Sequence, residues 1–254
     1  MDRPLFEIQI PGKDFRLDQD EEWIILHSEG HEEKIYLHDY ARLYKIPDLY
    51  EEVIHKRLKC SSPQVVCSLL KKELEKEGKG LIKLRILDFG AGNGMVGECL
   101  QEEIGCDALI GVDIIPEALE AVLRDRPGTY DHYYLMDLNQ PNASEEMQLN
   151  AWSFNVLITA GALGFKDTPT RAFINAFNII EDDALVVFNV KDKFFSEEDE
   201  SEFRSLLDFM MKESLELLQK KRYCHRLSVS GEELYYYAIV CKKLKQSGSI
   251  RGKN

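Results

Sequence analysis

The stretch LDFGAGNGMVGECL, Leu87 to Leu100, carries glycines at every second position, Gly90, Gly92 and Gly94, just after an acid, Asp88. A glycine-rich turn between a strand and a helix lets a ligand approach the backbone closely and meet free N–H groups. The dinucleotide fingerprint spaces its last two glycines as GxxG, whereas this chain reads GxGxG. A pyrophosphate on those N–H groups would also be repelled by the Asp88 carboxylate. The pattern therefore favours a nucleotide-like ligand that lacks phosphate and carries a positive group near the acid.

Two further acids stand in equivalent places. ALIGVDI brings Asp113 and Ile114 to the end of a second apolar run, and YYLMDL brings Asp137 and Leu138 to the end of a third. Asp113 is placed to accept hydrogen bonds from both hydroxyls of a ribose. Asp137 could accept from an adenine amino group, with Leu138 flanking the ring. S-adenosylmethionine fits this set, because its methionine end holds an ammonium, a carboxylate and a sulfonium with no phosphate. The candidate cofactor contacts are then Asp88, Gly90, Ala91, Gly92, Asn93, Asp113, Ile114, Asp137, Leu138 and, ending a fourth run NVLITAGA, Thr159. Gly97 is read as structural, needed by the tight strand-to-helix turn and not by a ligand.

The acceptor side is less legible. His225, in YCHRLS, could be a general base, although a strand histidine is more often a structural hydrogen-bonder. Asn189 and Lys191, at the end of ALVVFNV, are candidates for substrate contact, against capping or plain exposure. Tyr40, Tyr44 and Tyr50 could wall off water and orient a substrate through their hydroxyls, or simply pack a helix on the sheet. Candidate catalytic residues are thus His225, Tyr40 and Asn189, and GALGFKDTP, Gly161 to Pro169, should line the acceptor side. No metal is expected.

The elements that must hold these residues follow from periodicity. From residue 81 onward, short apolar runs alternate with helical patterns: LRILDFG, VGECLQEEI, ALIGVDI, PEALEAVLRD, YYLMDL, NVLITAGA, RAFINAFNII, ALVVFNV. Continuously apolar strands between helices indicate a doubly wound parallel sheet, with all three acids at its ligand-binding edge. After a helical pattern EFRSLLDFMMKESLELLQ, the runs YCHRLSV and LYYYAIVCKK flank Ser230-Gly231 as a hairpin, so an antiparallel strand closes the sheet. Upstream, Trp23 to Leu26 and Lys34 to Leu37 read as a hairpin with a loop longer than two residues. Two helical blocks then meet at Ser61-Ser62-Pro63, where Ser62 should cap a helix that starts at Pro63.

Asp88-Phe-Gly-Ala-Gly-Asn-Gly94, Val112-Asp113-Ile114 and Met136-Asp137-Leu138 resemble the first three motifs of the class I S-adenosylmethionine-dependent methyltransferases. The resemblance runs from about residue 62 to 244 and includes the closing hairpin. It implies a seven-stranded sheet with the seventh strand inserted antiparallel and the methyl donor bound across the first half. Three departures matter. Glu181-Asp182-Asp183 replaces a common Gly-Gly turn, Thr159-Ala-Gly-Ala replaces the Pro-Pro signature of nucleic-acid amino methylation, and the Pro-Cys pair of cytosine methylation is missing.

The 254 residues carry a net charge of -13, which repels polyanions and weighs against nucleic acid as substrate. Six scattered cysteines fit free thiols in a reducing cytoplasm, and no apolar run approaches a membrane span. Asn142-Ala-Ser is a glycosylation sequon by letter only. The expectation is an α/β fold in three parts: an N-terminal extension or lid over 1–61, a methyltransferase domain over 62–244 and a disordered tail over 245–254. The leading function is cytoplasmic methyl transfer to a small molecule. A protein methyltransferase with a docking surface in place of a lid, and a non-catalytic binder of S-adenosylmethionine, stay open as alternatives; a nicotinamide-dependent oxidoreductase ranks well behind.

Overall fold

The computed structural model describes residues 6–12, 17–28, 30–76, 83–163, 168–195 and 201–245. Most of the expected tail, residues 246–254, and residues 164–167 of the GALGFKDTP phrase lie outside these. The central sheet has seven strands: β4 (Arg85–Phe89), β5 (Ala108–Asp113), β6 (His132–Leu135), β7 (Val156–Thr159), β8 (Leu185–Lys191), β9 (Leu215–Leu227) and β10 (Glu233–Lys243). Their spatial order is β6-β5-β4-β7-β8-β10-β9. β4 to β8 pair in parallel, and β10 enters antiparallel between β8 and β9. The order reverses beside β4, so the glycine turn that follows this strand opens at the switch point where open α/β sheets bind ligands.

Burial on both faces accounts for the apolar runs. Ile86, Leu87, Leu109, Ile110, Leu157 and Ile158 are all fully buried. Helices α2 (Ser62–Lys76) and α3 (Met95–Glu103) pack on one face. On the other, α6 (Thr170–Ile179) and α7 (Glu202–Glu213) bury Phe173, Phe177 and Met210 against the sheet. Helix α4 (Pro116–Asp125) has proline in its first turn, which suits a position whose N–H needs no partner.

Four local expectations change. The helical pattern after Ser201 stops at Glu213, and Leu215 begins a 13-residue strand. Pairing of Leu215 with Lys243, and of the strand beyond it with β10, outweighs the helical spacing of LELLQ. Asn142 caps an unforeseen helix, α5 (Ala143–Asn150), in a reciprocal capping box with Glu145. In the N-terminal hairpin, β2 (Trp23–Ser28) meets β3 (His31–Tyr36) with Ser28 opposite His31, so only two residues separate the strands and the loop is the tight kind; Gly30 there has φ 76°. A further strand, β1 (Phe6–Gln9), completes a three-stranded antiparallel sheet. Finally, Ser62 is already helical and does not cap: its hydroxyl turns into the core, as described below.

The extension continues into α1 (Tyr40–Lys45) and a π-helical segment, Glu51–Arg57. It packs on the rest of the protein through a buried ion pair. Glu22 accepts from Arg226 of β9 at 2.5 Å and from the N–H of Val229 at 2.7 Å, with both side chains almost fully enclosed. A buried charge with its partner removed is strongly destabilising, so this pair fixes where the extension sits.

Candidate functional site

The turn after β4 is forced by its glycines. Gly90, Gly92 and Gly94 all have positive φ, at 70°, 54° and 86°. At Gly92 a side chain is excluded by space as well, because an added Cβ would lie 2.5 Å from the Tyr44 hydroxyl. Thus α1 lays Tyr44 directly over the loop. Tyr44 stacks with Tyr40 at 6.1 Å and lies tilted against Tyr50 at 4.9 Å between ring centroids. The three rings form one wall of a cleft at the strand ends.

The cleft has two lobes that share Tyr40, Tyr44, Tyr50, Gly90, Ala160 and Gly161. The outer lobe is bounded by Phe89, Asp113, Ile114, Met136, Asp137 and Leu138. Its acids are held by their own backbone. Asp113 accepts the N–H of Gly92 at 2.8 Å through one carboxylate oxygen and that of Ile115 at 2.9 Å through the other. Burial pushes its pKa up and those N–H bonds oppose the shift. Asp137 accepts from Asn139 N–H at 2.8 Å. Each carboxylate keeps lone pairs for a ligand.

The inner lobe brings Ala91, Gly92 and Asn93 together with His55, His225 and Arg226. Asn93 donates to Glu51 at 2.9 Å, and Arg126 reaches the same Glu51 oxygen at 2.6 Å and the carbonyl of Asn93 at 3.2 Å. The π-helical segment is therefore tied to the glycine loop. His55 is pushed down to about 4 by burial. His225 is held well below the ordinary histidine range by burial and by the neighbouring Arg226 charge. Both rings are neutral near pH 7.

Expected residues thus separate into two groups. Gly90, Ala91, Gly92, Asn93, Asp113, Ile114, Asp137, Leu138, Tyr40 and His225 all border the cleft. Asp88, Thr159 and Asn189 do not. Asp88 lies beneath the loop, 1% exposed, accepting from the Tyr130 hydroxyl at 2.7 Å while its other oxygen has no partner among the described residues. Burial raises it to about 7. Thr159 is fully buried, its hydroxyl without a partner among the described residues; Ala160 and Gly161, the next residues, reach the cleft instead. Asn189 does not follow the fifth parallel strand but lies within it, opposite Ala238, and is fully buried. Its role is internal: it accepts from Gly161 N–H at 2.8 Å and donates to Ser62 and Tyr223. Lys191 ends the same strand outside both lobes.

Sequence reasoning missed Tyr130 and Tyr133, which support the loop from below. Tyr133 donates to the Gly92 carbonyl at 2.8 Å, and an added Cβ on Gly97 would fall 2.6 Å from the Tyr130 ring. Gly97 was a usable signal: it lies within α3 and not in the turn expected to need it, and a buried helical glycine implies a large neighbour.

The site fits S-adenosylmethionine on its own chemistry. A cradle that admits no Cβ, Asp113 and Asp137 bordering the outer lobe and a buried acid whose second oxygen has no partner among the described residues suit a cationic nucleoside better than a pyrophosphate. Comparison with known proteins agrees. A methyltransferase-domain family profile matches residues 48–228. No curated protein sequence matches. Among solved structures, the fold is shared with the N-methyltransferase NodS of Bradyrhizobium japonicum bound to S-adenosyl-L-homocysteine (TM-score 0.57, 14% identity, 82% of this chain and 98% of that one). It is shared too with an S-adenosylmethionine-dependent methyltransferase from Clostridium acetobutylicum (0.53, 13%, 79% and 98%) and a proposed RNA methyltransferase from Pyrococcus horikoshii (0.51, 16%, 73% and 87%). The chain belongs to the methyltransferase-domain family and is an enzyme whose methyl donor is S-adenosylmethionine.

Proposed function

We propose that this enzyme methylates a small molecule in the inner lobe. The observation that supports the reading is the tyrosine wall: Tyr40, Tyr44 and Tyr50 of the extension border both lobes, with Tyr44 over the glycine loop, as a cover suited to a small acceptor. The net charge of -13 further disfavours nucleic acid. Six free thiols fit a reducing cytoplasm.

When bound, the cofactor supplies an electrophilic methyl group on a sulfonium with a neutral leaving group. The chain then needs mainly to align and to exclude water. Asp113 and Asp137 would hold the ribose and adenine in the outer lobe. Gly90 and Gly92 let the backbone close on the methionine part, with Asp88 contributing its field from beneath the loop. Tyr44, buried, and Tyr50, half-buried, keep their phenols protonated and close the wall against water.

The test is transfer of labelled methyl from S-adenosylmethionine into a cell extract that is then separated by ultrafiltration. Label in the low-molecular-weight fraction supports the reading. Label confined to the protein or RNA fraction would overturn it.

A further inference from the structure

His225 touches the inner lobe through its ring, and the protons around it can be counted. Its Nδ1 lies 2.6 Å from the Ser62 hydroxyl. Ser62 also meets the Tyr223 hydroxyl at 2.7 Å and Asn189 Nδ2 at 3.0 Å, and Asn189 Nδ2 meets Tyr223 at 2.8 Å. One end of this network has a fixed direction. Gly161 N–H can only donate, so the atom it meets on Asn189 at 2.8 Å is the amide oxygen. The Asn189 NH2 group then gives one hydrogen to Ser62 and one to Tyr223.

Among the described residues the Tyr223 proton now has a single acceptor within reach, Ser62, because its other partner is the Asn189 NH2. With Asn189 and Tyr223 both donating, the two lone pairs of Ser62 are filled. Only the Ser62 proton remains for the contact with His225, so Nδ1 must accept it. The reverse arrangement would leave the buried Tyr223 proton without a partner, at a cost of about 1–3 kcal/mol, or crowd three donors on one hydroxyl. Cys60 Sγ, 3.9 Å from Nδ1, is too distant and too weak to change the balance. A neutral imidazole that accepts at Nδ1 carries its proton on Nε2. That atom has no partner among the described residues. It is also not among the enclosed unpartnered atoms, Asp88 Oδ1 and Thr159 Oγ1, so it keeps accessible surface on the lobe the ring lines.

We infer that His225 is locked as the Nε2–H tautomer and acts as a hydrogen-bond donor that positions the methyl acceptor, which therefore carries a carbonyl, carboxylate or similar oxygen beside its methylated atom. This rests on the small-molecule reading of the inner lobe. It reverses the expectation that His225 is a general base, since an N–H presented to the substrate has no lone pair to take a proton. His55 has the opposite arrangement. It must donate from Nδ1 to the Cys60 carbonyl at 3.1 Å, which leaves its Nε2 as the lone pair of the pair of rings.

The direct test is the two-bond proton–nitrogen correlation spectrum of histidine-labelled protein near pH 7, with His225→Gln used for assignment. A bare Nδ1 and protonated Nε2 are expected. A protonated Nδ1 with a bare Nε2 would overturn the inference, whatever the fate of the methyl-transfer assay. Asn189→Asp supplies a second test. A carboxylate would accept from Gly161, Ser62 and Tyr223 together, freeing a Ser62 lone pair and drawing the proton to Nδ1 in a variant whose folding is checked by its melting curve. An unchanged Nε2–H in that folded variant would also refute the proton count, and the wild-type spectrum decides alone if the variant does not fold. With the acceptor recovered by ultrafiltration, His225→Gln, which retains a donor but no base, should show a lower acceptor KM than His225→Phe, a partial rescue that a lost base would not give. His225→Phe should raise the acceptor KM by about tenfold, the worth of one such bond. Equal collapse of kcat in both variants would point to a base and refute the donor role.

Discussion

Replacing Asp88 by Asn should stabilise the ligand-free protein at alkaline pH and not at acid pH. Asp88 is 1% exposed, and burial raises its pKa from the usual 3.8 to about 7 despite the bond from Tyr130. Between those two values the folded state holds a proton that the unfolded state has lost. Stability therefore falls as pH rises through this window, and the penalty is complete above about 7. At roughly 1.4 kcal/mol per unit, the shift is worth on the order of 4 kcal/mol. Asn cannot ionise, so it escapes that penalty, and its oxygen still accepts from Tyr130. Its NH2 would occupy the place of the unpartnered carboxylate oxygen, returning about 1–3 kcal/mol as an unsatisfied donor. The expected net gain is about 1–3 kcal/mol at pH 8, with a small loss at pH 5. Urea unfolding of both proteins at the two pH values measures it. Equal differences at pH 5 and pH 8, or a variant less stable than wild type at pH 8, would refute the assignment of a raised pKa to this carboxylate.

Other consequences are more direct. Asp113→Ala should weaken S-adenosylhomocysteine binding by about 1.5–3 kcal/mol for each ribose hydrogen bond lost while leaving the fold intact, which calorimetry and a melting curve together can read. Gly92→Ala meets both a left-handed φ of 54° and the Tyr44 hydroxyl at 2.5 Å; it should lower stability, and Tyr44→Phe should recover part of the loss in a double-mutant cycle. Glu22→Ala leaves Arg226 buried without its partner and should cost about 3–5 kcal/mol in urea unfolding; a cost below 1 kcal/mol would mean that the pair does not anchor the extension. S-adenosylhomocysteine should slow hydrogen exchange over Tyr40 to Glu52 along with the glycine loop, as expected if the tyrosine wall closes on the ligand; fast exchange there beside a protected loop would count against a closed small-molecule site.

The sequence by itself determined the features whose cause is local. A glycine spacing that only a tight turn satisfies, an acid at or near the end of each of three strand runs and a hairpin after the last helix are properties of short segments, and with the family resemblance they carry they were enough for the fold class and the cofactor, while the strand order came from the structure. Burial on both faces marks β4, β5 and β7, whereas β6, at the edge of the sheet, is only partly buried. Where two kinds of structure compete, the same reasoning failed: LELLQ keeps a helical period, yet its pairing with β10 makes it a strand. Tertiary structure alone decided the rest, because the partners are far apart in the chain. Glu22 meets Arg226, Asn93 meets Glu51, and Ser62 meets His225, none of which any sequence period brings together. Asn189 shows the physical reason most plainly. By position it looked like a substrate contact at a strand end, but one residue of strand length and the antiparallel entry of β10 bury it, and there it directs the protons of Ser62 and Tyr223. A side chain's neighbours across a sheet are set by register and burial, and these exist only once the whole sheet has formed.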